Sequence, residues 1–283
     1  MIAIIMVNFN AGDKILEAVK LALESTVSVQ IYISDNASCD GSYEKLVDLY
    51  QQNNQVTLIQ HSQNLGFAKA NNYFIKQVKA DYILLLNPDC FIKPNTIEQV
   101  LSVLKQNPQA GMVGCRILNP DGSEQRGCRR TLPSLKTATN QTGLGRVLAG
   151  KTTDLSQQNI PLKPLQVEAI SGAFMLLRKQ AIEQVGLMDE GYFLHCEDLD
   201  WCRRFYNQNW LILFVGQTEI IHYQGTCSQS NPIKVNWHKH QGMRRYYKKF
   251  IAQDHCYFVN QLVYFGIYMR FLSSSIMSKF NVK

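Results

Sequence analysis

The 283-residue chain has no C-x-x-C pair, no internal repeat and no low-complexity tract. Its eight cysteines, at 39, 90, 115, 128, 196, 202, 227 and 256, show no spacing that suits a zinc site. Scattered in this way they read as reduced thiols of a cytosolic compartment. A secretory leader is also missing, because Met1-Ile-Ala-Ile-Ile-Met-Val7 is short and uncharged and reads as a first strand. The glycosylation-like triplets Asn36-Ala-Ser38 and Asn140-Gln-Thr142 would then go unused. Charged residues are sparse, at 18% against 46% hydrophobic, which provides for a sizeable core and argues against general disorder. The net charge of +7 is modest, and no nucleic-acid partner is expected.

What is present is an alternation of strand and helix. Apolar runs at Ile2 to Val7, Val29 to Ser34, Val56 to Gln60, Tyr82 to Leu86 and Met112 to Cys115 predict strands. Helical patterns fall between them at about Asp13 to Glu24, Ser42 to Gln52, Ala68 to Val78 and Asn95 to Lys105. Such alternation argues for an α/β fold with a mostly parallel sheet flanked by helices, whose ligands sit beyond the carboxyl ends of the strands. Residues 1–117 form this half. Residues 118–165 lack sustained periodicity and read as a mobile connection containing Gly143, Gly145 and Gly150. Residues 166–235 regain order: an extended run from Val167 to Leu177 around Gly172, helices at Lys179 to Val185 and Asp198 to Gln208, and short strands at Leu211 to Val215 and Glu219 to His222.

The tail, residues 236–283, differs in kind. Lys239, Arg244, Arg245, Lys248 and Lys249 crowd one stretch, and Tyr257 to Met277 is rich in Tyr, Phe, Leu and Ile. Asn260, Gln261, Arg270 and three serines interrupt that run, so it falls short of the about 20 apolar residues of a span. An interfacial helix fits better, with packing or an oligomer contact as the alternatives.

The strand ends carry the candidate chemistry. Val7-Asn-Phe-Asn10 sets an aromatic between polar residues, able to stack on a base or simply to join the core. Asp35, in Asp35-Asn-Ala-Ser-Cys-Asp-Gly-Ser42, can accept an imide N–H or, with Ser38, cap the next helix. In Asn64-Leu-Gly-Phe-Ala-Lys-Ala-Asn-Asn72, Gly66 permits close backbone approach, while Asn71 and Asn72 are poor helix formers that call for partners. Leu84-Leu-Leu-Asn-Pro-Asp-Cys-Phe91 puts the oxygens of Asn87 and Asp89 at the sheet edge, where a hard cation or a plain turn would use them. Glu197-Asp-Leu-Asp200 gives three acids at a helix start, more than the dipole requires, and His222 ends a strand.

In this order the motifs resemble glycosyltransferase family 2 enzymes with a GT-A fold, within them the rhamnosyltransferase-like branch. The resemblance also takes in Ser171-Gly-Ala-Phe174 and Asp189-Glu190 and covers residues 3 to 228, the GT-A domain being 1–235 with a C-terminal helical extension. It implies a donor site of Val7, Asn8, Phe9, Asp35, Asn64, Gly66, Asn71, Asn87, Asp89 and Gly172. Phe9 would stack on the base and Asp35 would read its imide. Mg2+ or Mn2+ would sit on Asp89 and His222, with Asn87 standing where many relatives carry a second aspartate. Asp198 would be the general base of an inverting transfer, with Glu197, Asp200, Trp201, Arg129 and Arg130 on the acceptor side. The implied donor is a dTDP- or UDP-sugar, dTDP-rhamnose first. The implied acceptor is a glycan or lipid-linked oligosaccharide of the cell surface, met by peripheral contact at the cytoplasmic face of the inner membrane. A homo-oligomer is left open.

Two other classes compete. A non-catalytic sugar-nucleotide or glycan binder would have no use for a base at Asp198. A sugar nucleotidyltransferase would want a Gly-rich, Lys/Arg-bearing loop after the first strand, and Val7-Asn-Phe-Asn10 is not one.

Overall fold

The computed structural model describes residues 1–134, 153–223 and 232–280. Asn140, Gly143, Gly145, Gly150 and Cys227 lie outside the described residues. One mixed sheet runs in the order β3 (Val56–Gln60), β2 (Val29–Asp35), β1 (Ile2–Asn8), β4 (Tyr82–Leu86), β10 (Phe174–Arg178), β6 (Ala110–Leu118), β11 (Leu211–His222) and β5 (Cys90–Phe91). A short β8 (Leu165–Val167) also pairs with β11. Only β10, β5 and β8 run against the other strands. All seven residues of β1 are buried, as a strand covered on both faces must be. In register, β1 sets Asn8 beside Asp35 of β2, so the chemistry gathers at one sheet edge.

The helices follow the expected periodicity. α1 (Lys14–Leu23) buries Ile15, Ala18, Val19 and Ala22, and α4 (Thr96–Gln106) buries Ile97, Val100, Leu101 and Leu104. These i, i+3, i+4, i+7 stripes pack them on the sheet. α2 (Ser42–Tyr50) and α3 (Phe67–Ile75) complete the first half, while α5 (Lys179–Val185) and α6 (Glu197–Asn207) belong to the second. α7 (Pro232–Phe250) and α8 (Tyr257–Phe280) follow, joined by a short 3-10 turn.

Four expectations need correcting. The run read as one extended segment from Val167 to Leu177 is cut into β8, β9 (Ala169–Ile170) and β10, because each piece pairs with a different partner. β9 joins β7 (Arg129–Arg130) in a separate two-stranded ribbon. Residues 211–222 form one long strand, with a register irregularity between Val215 and Glu219, rather than two. The described parts of 118–165 are built into the fold: Glu124 bridges to Leu118, and Arg130 bridges to Asp154. Finally, the boundary placed at 235 falls inside α7, which is docked on the second half. Arg245 and Lys249 of α7 bind Asp189, and Lys249 also binds Asp200. Burial works against the Asp189 charge, but hydrogen bonds from Arg245 and Lys249 outweigh it and hold this carboxyl well below its usual range. The basic stretch is therefore partly consumed by internal pairing.

Candidate active site

At the β1–β2 edge, Asn8 donates to Asp35 Oδ2 at 2.8 Å and to Ser42 Oγ at 2.9 Å. Asp35 Oδ1 accepts the Ser38 N–H at 3.0 Å. The Asp35 carboxylate is fully buried and both oxygens are engaged, so it fastens two strand ends and offers no surface to a base. Nor does it cap α2, since Asp40 accepts the N–H of Ser42. Val7 is buried and Phe9 half-buried at the same edge.

Gly66 makes a close approach to protein backbone. Its φ is +80°, and an added Cβ would lie 2.5 Å from the Phe193 carbonyl oxygen, which accepts the Phe67 N–H at 2.9 Å. Asn64 Oδ1 accepts the Gly66 N–H, and Asn71, buried, turns back to the Phe67 carbonyl. These two asparagines shape their own loop and helix in this structure. Asn72 has the partner that its position called for. Its amide donates to the Met188 carbonyl and Glu190 while accepting the Met188 N–H, and so clasps the loop before α6.

β4 and β11 end together. β5 pairs His222 with Cys90, which places the imidazole next to Asp89. His222 Nε2 lies 3.1 Å from Asp89 Oδ1 and 3.4 Å from the Asn87 side-chain nitrogen. His222 Nδ1 lies 2.7 Å from Gln125 Oε1, and Gln125 in turn donates to Asn119. This assigned amide orientation makes Nδ1 the donor and leaves the Nε2 lone pair facing a carboxylate. Two such acceptors need a cation or a proton between them. Adjacent ligands of an octahedral Mg2+ with bonds of about 2.1 Å stand about 3.0 Å apart, so this pair has the right bite. Cys90 completes the only group of metal-capable side chains among the described residues. Burial, and then the charge of Asp89, raise its thiol far above the ordinary value, which disfavours the thiolate and leaves Asp89 and His222 the better donors of the three. Gln125 was not foreseen; a polar residue in a turn gives no signal of what it orients.

The second carboxylate centre opens α6. Asp198 Oδ2 is bound by the Arg130 guanidinium and lies 3.4 Å from the Gly172 N–H. Arg130 also donates to the Ile170 carbonyl, and its Nε has no partner among the described residues. Glu197 is buried, with Oε2 unpartnered among the described residues. Burial, joined by the charge of Asp198, pushes its pKa up to about 8. Its burial next to the Arg130–Asp198 pair thus favours the neutral form of Glu197.

Three acceptor-side expectations do not fit. Arg129 is fully buried, binds Glu124 and the carbonyls of Gln158 and Asn159, and lies over the Phe214 ring. Asp200 is fully buried between Arg204 and Lys249. Trp201 is core, packed edge-on to Phe205 and donating its indole N–H to the Gly186 carbonyl. Helix periodicity explains the last two, because Asp200 and Trp201 share the inward face of α6 with Phe205.

The family model for glycosyl transferase family 2 matches residues 3–186. An N-acetylglucosaminyl-diphospho-decaprenol L-rhamnosyltransferase of Mycobacterium tuberculosis is 30% identical over 245 residues, covering 81% of this chain and 78% of that one. A dTDP-rhamnosyl transferase, RfbF of Shigella flexneri, is 26% identical over 252 residues, covering 86% and 76%. Among solved structures, a mannosyltransferase of Pyrobaculum calidifontis in complex with GDP-Man and Mn2+ superposes with a TM-score of 0.60 at 12% identity. That superposition covers 88% of this chain but spans under two thirds, 64%, of the other. With the family matched over most of the sheet and the GT-A architecture in place, the chain belongs to glycosyl transferase family 2, as a rhamnosyltransferase-like glycosyltransferase.

Proposed function

We propose that the chain transfers rhamnose from dTDP-rhamnose, with inversion, to a hydroxyl of a growing lipid-linked glycan at the cytoplasmic face of the membrane. The observation that carries the reading is the turn from Ser171 to Phe174. Gly172 directs its N–H at Asp198, and the Ala173 carbonyl accepts the Asn87 N–H at 2.9 Å. A single tight turn therefore links Asp198 to the Asn87–Asp89 corner, which supports reading them as one site. Donor and acceptor identities rest on what the Shigella and Mycobacterium relatives are named for.

On this reading Asp198 takes the acceptor hydroxyl proton as that oxygen attacks the anomeric carbon. The new C–O bond forms as the bond to the diphosphate oxygen breaks, and the diphosphate leaves with the electron pair. A general base of this kind contributes about 10²–10⁴-fold. A Mg2+ or Mn2+ ion on Asp89 and His222 would neutralise charge on the leaving diphosphate. Asn87 in place of a second carboxylate leaves the corner with one formal charge, so metal affinity without nucleotide should be poor.

The test is incubation with dTDP-rhamnose and a panel of UDP- and GDP-sugars plus Mn2+ or Mg2+, following the released phosphates. Nucleoside diphosphate release, fastest from dTDP-rhamnose, is expected. Formation of nucleoside triphosphate and sugar 1-phosphate when pyrophosphate is added would point to a nucleotidyltransferase, and binding without any turnover to a sugar-nucleotide binder; either outcome overturns the reading.

A further inference from the structure

The chain's positive charge is not spread over it. Residues 1–231 carry 20 lysines and arginines against 21 acids, whereas residues 232–283 carry nine against one, Asp254. All of the +7 therefore resides on the segment that forms α7 and α8. Arg245 and Lys249 are taken up by Asp189 and Asp200, while Lys239, Arg244 and Lys248 are exposed on α7.

α8 has two faces. One packs on α7: Asn260 accepts the Tyr247 hydroxyl, Tyr264 meets Tyr247 edge-on, and Phe271 meets Trp237 and His240. Asn236 of α7 reaches Ser274 and Ser275. The other face carries Phe258, Leu262, Phe265, Met269 and Ile276, flanked by Tyr257 and Tyr268, all exposed. At 100° per residue these seven side chains fall within about 140° of arc, a single stripe along the helix. Phe258 is 69% and Phe265 62% exposed, far more than scattered surface apolars need explaining. Trp237, Tyr264, Phe265, Tyr268 and Phe271 also line a groove of about 350 Å3 between the two helices, with Arg244 beside it.

We infer that the α7–α8 hairpin is an interfacial docking surface for an anionic lipid bilayer. The helix lies in the headgroup plane, with its stripe among the acyl chains and its cations among the phosphates. Interfacial helices combine such a stripe with Lys/Arg, and Tyr and Trp favour the polar–apolar boundary. A second copy of the chain is the poorer occupant. Pairing this face with itself across a two-fold axis would oppose one nine-to-one cationic segment with another. Spanning is excluded for the described helices, none of which is long and apolar enough to cross a membrane. The inference does not depend on the sugar transferred.

The experiment uses the full chain and sedimentation with vesicles of phosphatidylglycerol or of phosphatidylcholine. Binding to the anionic vesicles, weakened by 0.5 M salt and nearly absent from the neutral ones, is expected; a tenfold dilution of affinity or more is expected for Phe265→Ser, at about the cost of leaving one aromatic out of the bilayer. Lys248→Glu should weaken binding less. Leu262→Gln stands in should Phe265→Ser lose its thermal transition. Equal sedimentation of wild type and both stripe variants, or no preference for anionic lipid, overturns the inference. So does a lipid-free dimer by light scattering that the same variants dissociate. A chain that sediments yet releases no nucleoside diphosphate leaves the surface standing and removes the proposed reaction instead.

Discussion

Arg130 holds Asp198: its guanidinium occupies Oδ2, the oxygen that the Gly172 N–H also faces. The carboxylate assigned to proton abstraction is thus engaged by a cation from a two-residue strand, β7, and an acceptor hydroxyl must share or displace that contact. In Arg130→Gln, water reaches the carboxylate more freely. Nucleoside diphosphate release without acceptor should rise while transfer to acceptor falls. Parallel loss of both rates would reduce Arg130 to a packing role.

Asp198→Asn keeps the shape and the Gly172 contact but removes the base. Transfer should fall about 10²–10⁴-fold. Nucleotide affinity by calorimetry should stay within about twofold, since the residue is assigned to the proton and not to the donor. Turnover near wild type would end the assignment.

His222 is aimed by Gln125. Gln125→Leu keeps bulk but removes the acceptor on Nδ1, freeing the ring to change tautomer. The Mn2+ concentration for half-maximal activity should rise about 10–100-fold, with less change in maximal rate. Asp89→Ala should weaken metal-dependent binding of the nucleoside diphosphate itself; an unchanged calorimetric affinity would count against Asp89.

Glu197 makes stability depend on pH in a defined sense. Its pKa rises from 4.5 to about 8 on folding, so between those values the folded state holds a proton that the unfolded chain has released. This residue's contribution is complete below pH 4.5 and is lost as pH climbs toward 8. Glu197→Gln, which stays neutral, should therefore flatten the profile and raise Tm at pH 8 relative to wild type by roughly 3–6 °C, with little gain at pH 4.5. Identical pH profiles would show that Glu197 is ionised in the fold.

Gly66→Ala combines a left-handed φ with a methyl 2.5 Å from the Phe193 carbonyl. A destabilisation of about 2 kcal/mol in urea is expected. Because backbone rather than a flexible side chain is in the way, loss of activity should exceed what the lost stability explains.

Much of this was legible in the sequence. Apolar runs ending in polar residues marked β1 to β4 and put Asp89 and His222 at strand ends, where the residues alone fit a plain turn and a structural histidine as well as a metal site. Arg129 and Arg130 show where reading stops. They are identical neighbours, and strand alternation sends one into the core over Phe214 and the other to Asp198. Nothing in the sequence says that these two residues form a strand, since their partner, Ala169–Ile170, lies 40 residues away. Asp35 shows another limit: it sits where a ligand group would, and the sequence does not show that Asn8 and Ser38 already engage it in this structure.

The turn from Ser171 to Phe174 has a consequence for redesign. Through it, the corner that would meet the leaving group and the carboxylate that would meet the acceptor share one rigid mount. Changing donor preference by resizing residues around Asn87 would also move Asp198, so selectivity and rate would shift together. Variants that alter donor choice cleanly should be sought at Phe9, whose side chain has no polar group to tie it to that mount.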